Sequence, residues 1–388
     1  MYVTKFSKLH FCIAILALPF SFITCKKKVT ETKITPIPTI VLPATSSTFD
    51  FVHPSILTTK SSLDLIAAEI EANNAERSNA FKKILDYTNV ASRYPTSFPS
   101  IVIVGSNGAT TPSKDQIRQN AELAYATALR WAATGDSNFA KQTIAILNGW
   151  ASAFQAYDLL VNPTSPTNPN QPSLEASWTT PTMVAAAEIM RYYKPKGASS
   201  GWLTADITKF ESYLTKLLVT INKTPVYNNN WNVSAGYAKM TIGIFLNTKT
   251  IYDEGVNYIK KYLPIVISVD GTIDELCDRK DCVHFQYSLT GFTYAAELAR
   301  IQGDVSIYTY GNNLISLGYN FMKNAYDRTG CNYCSTTSPV FPGTEVAYNY
   351  YKTPTLKALR ELQAPLALPN DNTFLGFTSY THFNVKLN

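Results

Sequence analysis

The chain has 388 residues, of which 34 are Lys or Arg and 28 are Asp or Glu, giving a formal charge of +6 and a charged fraction of only 16%. No run of Lys and Arg is interleaved with aromatics, which leaves nucleic acid without its electrostatic footprint. Four histidines, one of them in the N-terminal leader, are too few for a histidine-built metal site, and no motif calls for a cofactor.

In chain order, Lys5 and Lys8 precede an apolar run over residues 11–23 that is too short to span a bilayer with ordinary flanks. The run ends in Phe22-Ile23-Thr24-Cys25, which resembles a bacterial lipobox, with Thr24 a loose fit before the cysteine. Residues 1–24 therefore read as a lipoprotein signal peptide and Cys25 as the lipidated residue that holds the protein on a membrane. The Thr/Pro-rich stretch 25–47 lacks apolar periodicity and reads as a flexible tether, leaving 48–388 as one folded domain. The expectation is an exported protein, a periplasmic or outer-membrane lipoprotein.

From Ser61 onward apolar residues recur at helical spacing, in pairs of segments joined by short polar turns. Residues 113–116 read as a capping box opening a helix whose buried stripe is Ile117, Ala121, Ala124, Ala128 and Trp131. Gly135 ends that helix, and Asp136 caps the next, with Phe139, Ala140, Ile144, Leu147, Ala151 and Phe154 as its stripe. Further pairs follow at 174–193 with 204–221, 231–246 with 252–263, and 285–301 with 305–325. Strand candidates are few: 101–104, 264–269 and the tail after Thr373. Serial helix hairpins without a βα rhythm predict an all-α protein, either an (α/α) toroid or an α-solenoid.

Cys277, Cys282, Cys331 and Cys334 allow three disulfide pairings, or a four-thiolate zinc site; outside the cytoplasm disulfides are the commoner fate.

Two segments carry chemistry. Residues 228–232 set Asn229, Asn230 and Trp231 at the N-terminus of an apolar helix, where unpaired backbone amides favour anions; an asparagine there can bond a uronate carboxylate while Trp231 stacks on a sugar face. The plainer reading is a polar turn with a capping asparagine. Residues 278–287 hold Arg279, Lys280, Asp281, His284 and Tyr287, the last three spaced to share one helix face. Trp178 and Tyr348 are further aromatic candidates for substrate binding. Together these supply what β-elimination requires: a group to neutralise the sugar carboxylate, a base for the adjacent C5 proton, and an acid for the departing oxygen. No phosphate loop or G-x-S-x-G elbow occurs. A glycoside-hydrolase carboxylate pair would have to come from Asp274, Glu275, Asp278 and Asp281, whose crowding suits a solvated acidic loop better.

Taken in order, several segments resemble the alginate lyase superfamily: His53-Pro54, Thr134-Gly135-Asp136 through Ile146-Leu-Asn-Gly-Trp150-Ala151, Ala185-Ala-Ala-Glu188-Ile189, Asn230-Trp231, Asp281-x2-His284-x2-Tyr287, and Ala296-Glu-Leu-Ala-x3-Gly303. The resemblance implies an incomplete (α/α) toroid with a deep groove, and a lyase acting on an acidic polysaccharide. On the matching positions, Asn230 would bind or neutralise the carboxylate, His284 would act as base or position the substrate, and Tyr287 would be acid, base or both. The family's arginine seven residues before the tyrosine falls on Lys280, with Arg279 beside it. Alginate is the first substrate expected, with glucuronan or another acidic glycan as alternatives. A noncatalytic glycan-binding lipoprotein and a helical-repeat scaffold are the readings outside enzymology; the helix pairs vary too much in length for the scaffold.

Overall fold

The computed structural model describes residues 49–161, 164–335, 337–362 and 373–385; the expected signal peptide, Cys25 and the tether lie outside the described residues. Its helices are α1 (Lys60–Glu71), α2 (Ala75–Thr88), α3 (Pro112–Thr134), α4 (Ser137–Ala153), α5 (Gln171–Tyr192), α6 (Thr204–Ile221), α7 (Asn230–Phe245) and α8 (Lys249–Val266). They continue with α9 (Asp274–Arg279), α10 (His284–Ile301), α11 (Tyr310–Tyr326), α12 (Gly343–Tyr351), α13 (Pro354–Leu362) and α14 (Thr378–Thr381). Two short strands, β1 (Ile101–Val104) and β2 (Ala156–Leu159), pair in parallel.

The helices divide by pattern into two layers. Helices α5, α7 and α10 are buried almost all round, whereas α6 buries one stripe of Phe210, Tyr213, Leu214, Leu217, Leu218 and Ile221. A helix apolar on every side belongs inside, and a one-stripe helix covers it from outside. Accordingly α3, α5, α7, α10 and α12 stand side by side, and α4, α6 and α8 pack behind them. Helix α14 touches α12, α1 and α2, and the latter two touch α3. The fold is all-α, and of the two architectures that the hairpin rhythm leaves open it is the incomplete (α/α) toroid that the resemblance implies. The N-terminal turns of α3, α5, α7 and α10 come together at one end of the molecule. That end holds the candidate site.

Local signals explain the boundaries. Gly135 adopts φ 70° and ends α3, and the Asp136 side chain accepts from Asn138 N to start α4, both as expected. The start of α3 differs: its cap is Thr111, whose side chain accepts from Lys114 N, not Ser113. Pro112 pre-sets the first helical φ and has no N–H to satisfy, so the helix begins earlier. Ser113 and Gln116 turn outward instead, bonding Ile103 N and Ser97 O. The stripe of α4 is also shifted, with Thr143, Ile146 and Trp150 buried where Phe139 and Ile144 are only half-buried. Between α7 and α8 the backbones nearly touch: a Cβ on Gly243 would lie 2.4 Å from Tyr252 N, and one on Gly255 would lie 2.7 Å from Gly236 O.

Of the three expected strands only 101–104 forms. Residues 264–266 finish α8, and the described part of the tail, 373–385, makes the short helix α14, buried through Phe374, Leu375, Phe377 and Tyr380. Their β propensity finds no sheet edge to pair with. The strand β2 carries no sequence signal, because its residues alternate between half-buried and exposed and present no apolar face. Helix α11 begins later than expected: Gly311, Asn312 and Asn313 are left-handed, and the regular helix starts at Leu314.

The cysteines pair as Cys277–Cys331 and Cys282–Cys334, with Cα separations of 5.4 and 5.7 Å. All four sulfurs are consumed, so no thiolate remains for the zinc alternative.

Candidate active site

The N-terminal ends of α3, α5, α7 and α10 surround a cavity of about 930 Å³. Of the expected residues, Trp178, Asn229, Asn230, Trp231, Arg279, His284 and Tyr287 line it, so the two segments that looked chemically equipped meet in one place. Lys280 and Tyr348 are not among the lining residues. Lys280 is exposed and occupies the left-handed cap after α9, with φ 53°. Tyr348 lies on α12 with the Lys352 ammonium 5.0 Å over its ring, one turn farther along the helix.

The α7 entrance is built by Asn232, whose buried side chain accepts from the backbone N–H groups of Tyr227 and Asn228 and donates to Pro225 O. Asn229 caps the helix by accepting from Trp231 N at 3.0 Å. With both structural tasks taken by its neighbours, Asn230 is released to the cavity. It is 2% exposed, and its Oδ1 is buried without a hydrogen-bond partner, a costly arrangement in a protein interior. The plain capping reading therefore holds for Asn229 and not for Asn230. Trp231 sits edge-on to Tyr227 at 5.0 Å, and Tyr227 Oη accepts from Asn170 Nδ2 at 3.2 Å.

The α10 entrance is built by Asp281. Its Oδ1 accepts from Val283 N at 3.0 Å and His284 N at 2.9 Å, and its Oδ2 lies 2.8 Å from His284 Nδ1. Partial burial works against its ionisation, yet these N–H bonds and the His284 ring outweigh it and hold the carboxyl below the usual range. Arg279 reaches the same Oδ2 with Nε at 3.5 Å, and its Nη1 lies 3.9 Å from Glu275 Oε1. Burial pushes the Glu275 carboxyl up to about 7, against the pull of Arg279. Three residues beyond His284, Tyr287 is 5% exposed, edge-on to His284 at 5.8 Å and packed on Trp178, Phe341 and Phe374.

Several cavity residues had no sequence signal strong enough to single them out. Arg118 forms a buried bidentate pair with Glu175 and lies 5.1 Å from the Trp178 ring, while Trp178 donates its indole N–H to Ser234 Oγ. Lys114 bonds the carbonyls of Gly105 and Ala109, fixing the loop over the cavity edge. A charge beside the apolar stripe of α3, directly after Ile117, was the available clue to Arg118. Among the described residues no group of three His, Cys, Asp or Glu side chains is disposed to hold a metal ion.

At the other ends of the same helices, His53 bonds Glu188 through Nδ1 at 2.9 Å and Asn247 through Nε2 at 3.0 Å, and stacks on Tyr192. Burial opposes its protonation, but the Glu188 carboxylate outweighs this and raises its pKa. This histidine ties the start of the domain to α5, away from the cavity.

The sequence model of a family described as alginate lyase matches residues 66–329. No curated protein matches the sequence. Among solved structures, the chain is similar to alginate lyase A1-III from Sphingomonas species A1, with a TM-score of 0.63 and 17% identity over 85% of this chain and 99% of that one. It is also similar to an alginate lyase from Bacteroides ovatus, with a TM-score of 0.64 and 12% identity over 86% of this chain and 100% of that one. A tyrosine-to-phenylalanine variant of A1-III complexed with a tetrasaccharide aligns at a TM-score of 0.62 and 15% identity, over 84% of this chain and 97% of that one. At these identities the structural likeness is one of fold.

Proposed function

The chain belongs to the alginate lyase family and is a polysaccharide lyase, and from that premise we propose that it cleaves a uronate-containing polysaccharide, alginate first, by β-elimination. The observation that carries this reading is the meeting of Asn230, Arg279, His284 and Tyr287 around one cavity. The C5 proton of a uronate is barely acidic until the neighbouring carboxylate is neutralised. Asn230, with its unused buried amide, and the guanidinium of Arg279 are suited to that task. Four helix N-termini directed at the same space add a field that favours an anion. His284 and Tyr287 then exchange the two protons: the C5–H electron pair becomes the C4–C5 double bond, the C4–O bond breaks, and the departing oxygen is protonated. Trp178, Trp231 and Tyr227 supply aromatic faces for sugars. Alginate is the first choice because similar folds at nearly full length belong to alginate lyases.

We also propose that residues 1–24 are removed as a signal peptide and that lipid on Cys25 anchors the 48–388 domain through its tether, as an exported periplasmic or outer-membrane lipoprotein. The sequence at Cys25 supports this.

The test is absorbance of unsaturated product from the 48–388 domain over alginate, polymannuronate, polyguluronate, glucuronan, hyaluronan and pectate. A rise on alginate supports the full reading, and a rise on another polymer keeps the chemistry and changes the substrate. Silence across the panel from folded protein overturns it.

A further inference from the structure

We propose that Asp281 is a positioning residue that fixes the His284 ring as the proton acceptor of the reaction and thereby leaves Tyr287 as the proton donor. This rests on the lyase reading above. The two carboxylate oxygens are separately engaged: Oδ1 accepts from the backbone N–H groups of Val283 and His284, and Oδ2 faces His284 Nδ1 at 2.8 Å. An ionised carboxylate only accepts hydrogen bonds, so in the neutral ring Nδ1 carries the proton and Nε2 keeps its lone pair. His284 lines the cavity, so this lone pair belongs to the site.

The chain around Asp281 is braced accordingly. Cys282, its neighbour, is bonded to Cys334, and Cys277, on α9, is bonded to Cys331, so the segment that carries Arg279 and Asp281 is stapled on both sides, and His284 follows two residues after the second staple. Arg279 Nε lies 3.5 Å from the same Oδ2, so one carboxylate orients both the base and the cation that faces the substrate. In the reaction, the C5 proton passes to Nε2, the electron pair forms the C4–C5 double bond, the C4–O bond breaks, and the leaving oxygen takes the phenolic proton of Tyr287. Asp281 stabilises the imidazolium so formed; transfer of its proton back to the phenolate through solvent restores the enzyme.

The test is Asp281→Asn in the folded domain, read in two ways. With Oδ1 held by two N–H donors, the new amide must turn its NH₂ toward Nδ1, which forces the proton onto Nε2. Imidazole ¹⁵N spectra without substrate, assigned by comparison with His284→Gln, are expected to change from the Nδ1–H to the Nε2–H form. On the polymer cleaved by the wild type, kcat is expected to fall about 10²- to 10⁴-fold with KM within about threefold. Asp281→Glu, which keeps the acceptor, is expected to recover part of the loss. A wild-type ring already in the Nε2–H form, or kcat of Asp281→Asn within about threefold of wild type, overturns the proposal. Failure of the lyase reading looks different: the wild type is silent on every uronate polymer while the ¹⁵N change still occurs.

Discussion

Arg118 and Glu175 join neighbouring inner helices through two parallel hydrogen bonds, 2.5 Å from Nε to Oε1 and 2.7 Å from Nη2 to Oε2, with Glu175 wholly buried. The guanidinium also supports the face of Trp178. Removing one partner leaves a buried charge uncompensated, which costs about 3–5 kcal/mol. Glu175→Ala is therefore expected to lower the thermal midpoint markedly, and to weaken substrate binding through loss of the support beneath Trp178. Thermal scans and KM on the same preparation check this; an unchanged midpoint would remove the strut.

Tyr287→Phe deletes one hydroxyl and keeps a ring packed against Trp178, Phe341 and Phe374. Folding should be retained, while turnover falls by at least about 10²-fold, the usual contribution of a positioned proton-transfer group. Circular dichroism with single-turnover kinetics measures both, and near-normal turnover would remove Tyr287 from the chemistry.

The disulfides close nearly the same loop, with sequence separations of 54 and 52 residues. On a chain-entropy account, removing one costs about 2–3 kcal/mol because the other still closes the long loop, and removing the second costs about 4 kcal/mol more. Denaturant titration of the Cys277→Ser/Cys331→Ser double variant, the Cys282→Ser/Cys334→Ser double variant and the quadruple variant is expected to give this order. Equal small effects for all three would contradict it.

Glu122 on α3 is deeply buried against the Tyr87 hydroxyl, and burial pushes its carboxyl up to about 7. A folded-state pKa above the unfolded one means that the native state holds its proton more tightly. The stability it contributes is present below the unfolded value, about 4.3, and is lost as pH rises toward 7, on the order of 3 kcal/mol in all. His53, also raised, adds a loss of the same sign that begins at higher pH. Glu122→Gln keeps an acceptor for Tyr87 and removes the titration, so its thermal midpoint should fall less than the wild type's between pH 5 and 7. Parallel curves would contradict the assignment.

Much of the architecture was legible because layer and pattern coincide in this fold: the apolar runs of α5, α7 and α10 are long enough to read, and Gly135 with Asp136 punctuates the α3–α4 turn. Boundaries set by tertiary contacts were not. The start of α3 depends on Thr111 and the β1 backbone, and the tail after Thr373 is helical because no strand edge awaits it. The candidate site was legible where its residues cluster in sequence, as at 228–232 and 278–287. Arg118, Lys114 and Tyr227 come from separate elements and are joined only by the toroid. Tyr348 does not line the cavity, and an aromatic residue in a helix carries no mark in the sequence of which neighbour it faces.

The most direct measurement is the mass of the products released from the preferred uronate polymer. β-Elimination adds no water, so the account predicts fragments whose masses sum to that of the parent chain, with an unsaturated uronate at the new non-reducing end. Fragments that together gain one water, saturated at both ends, would mean hydrolysis and would contradict the roles given to Asn230, His284 and Tyr287.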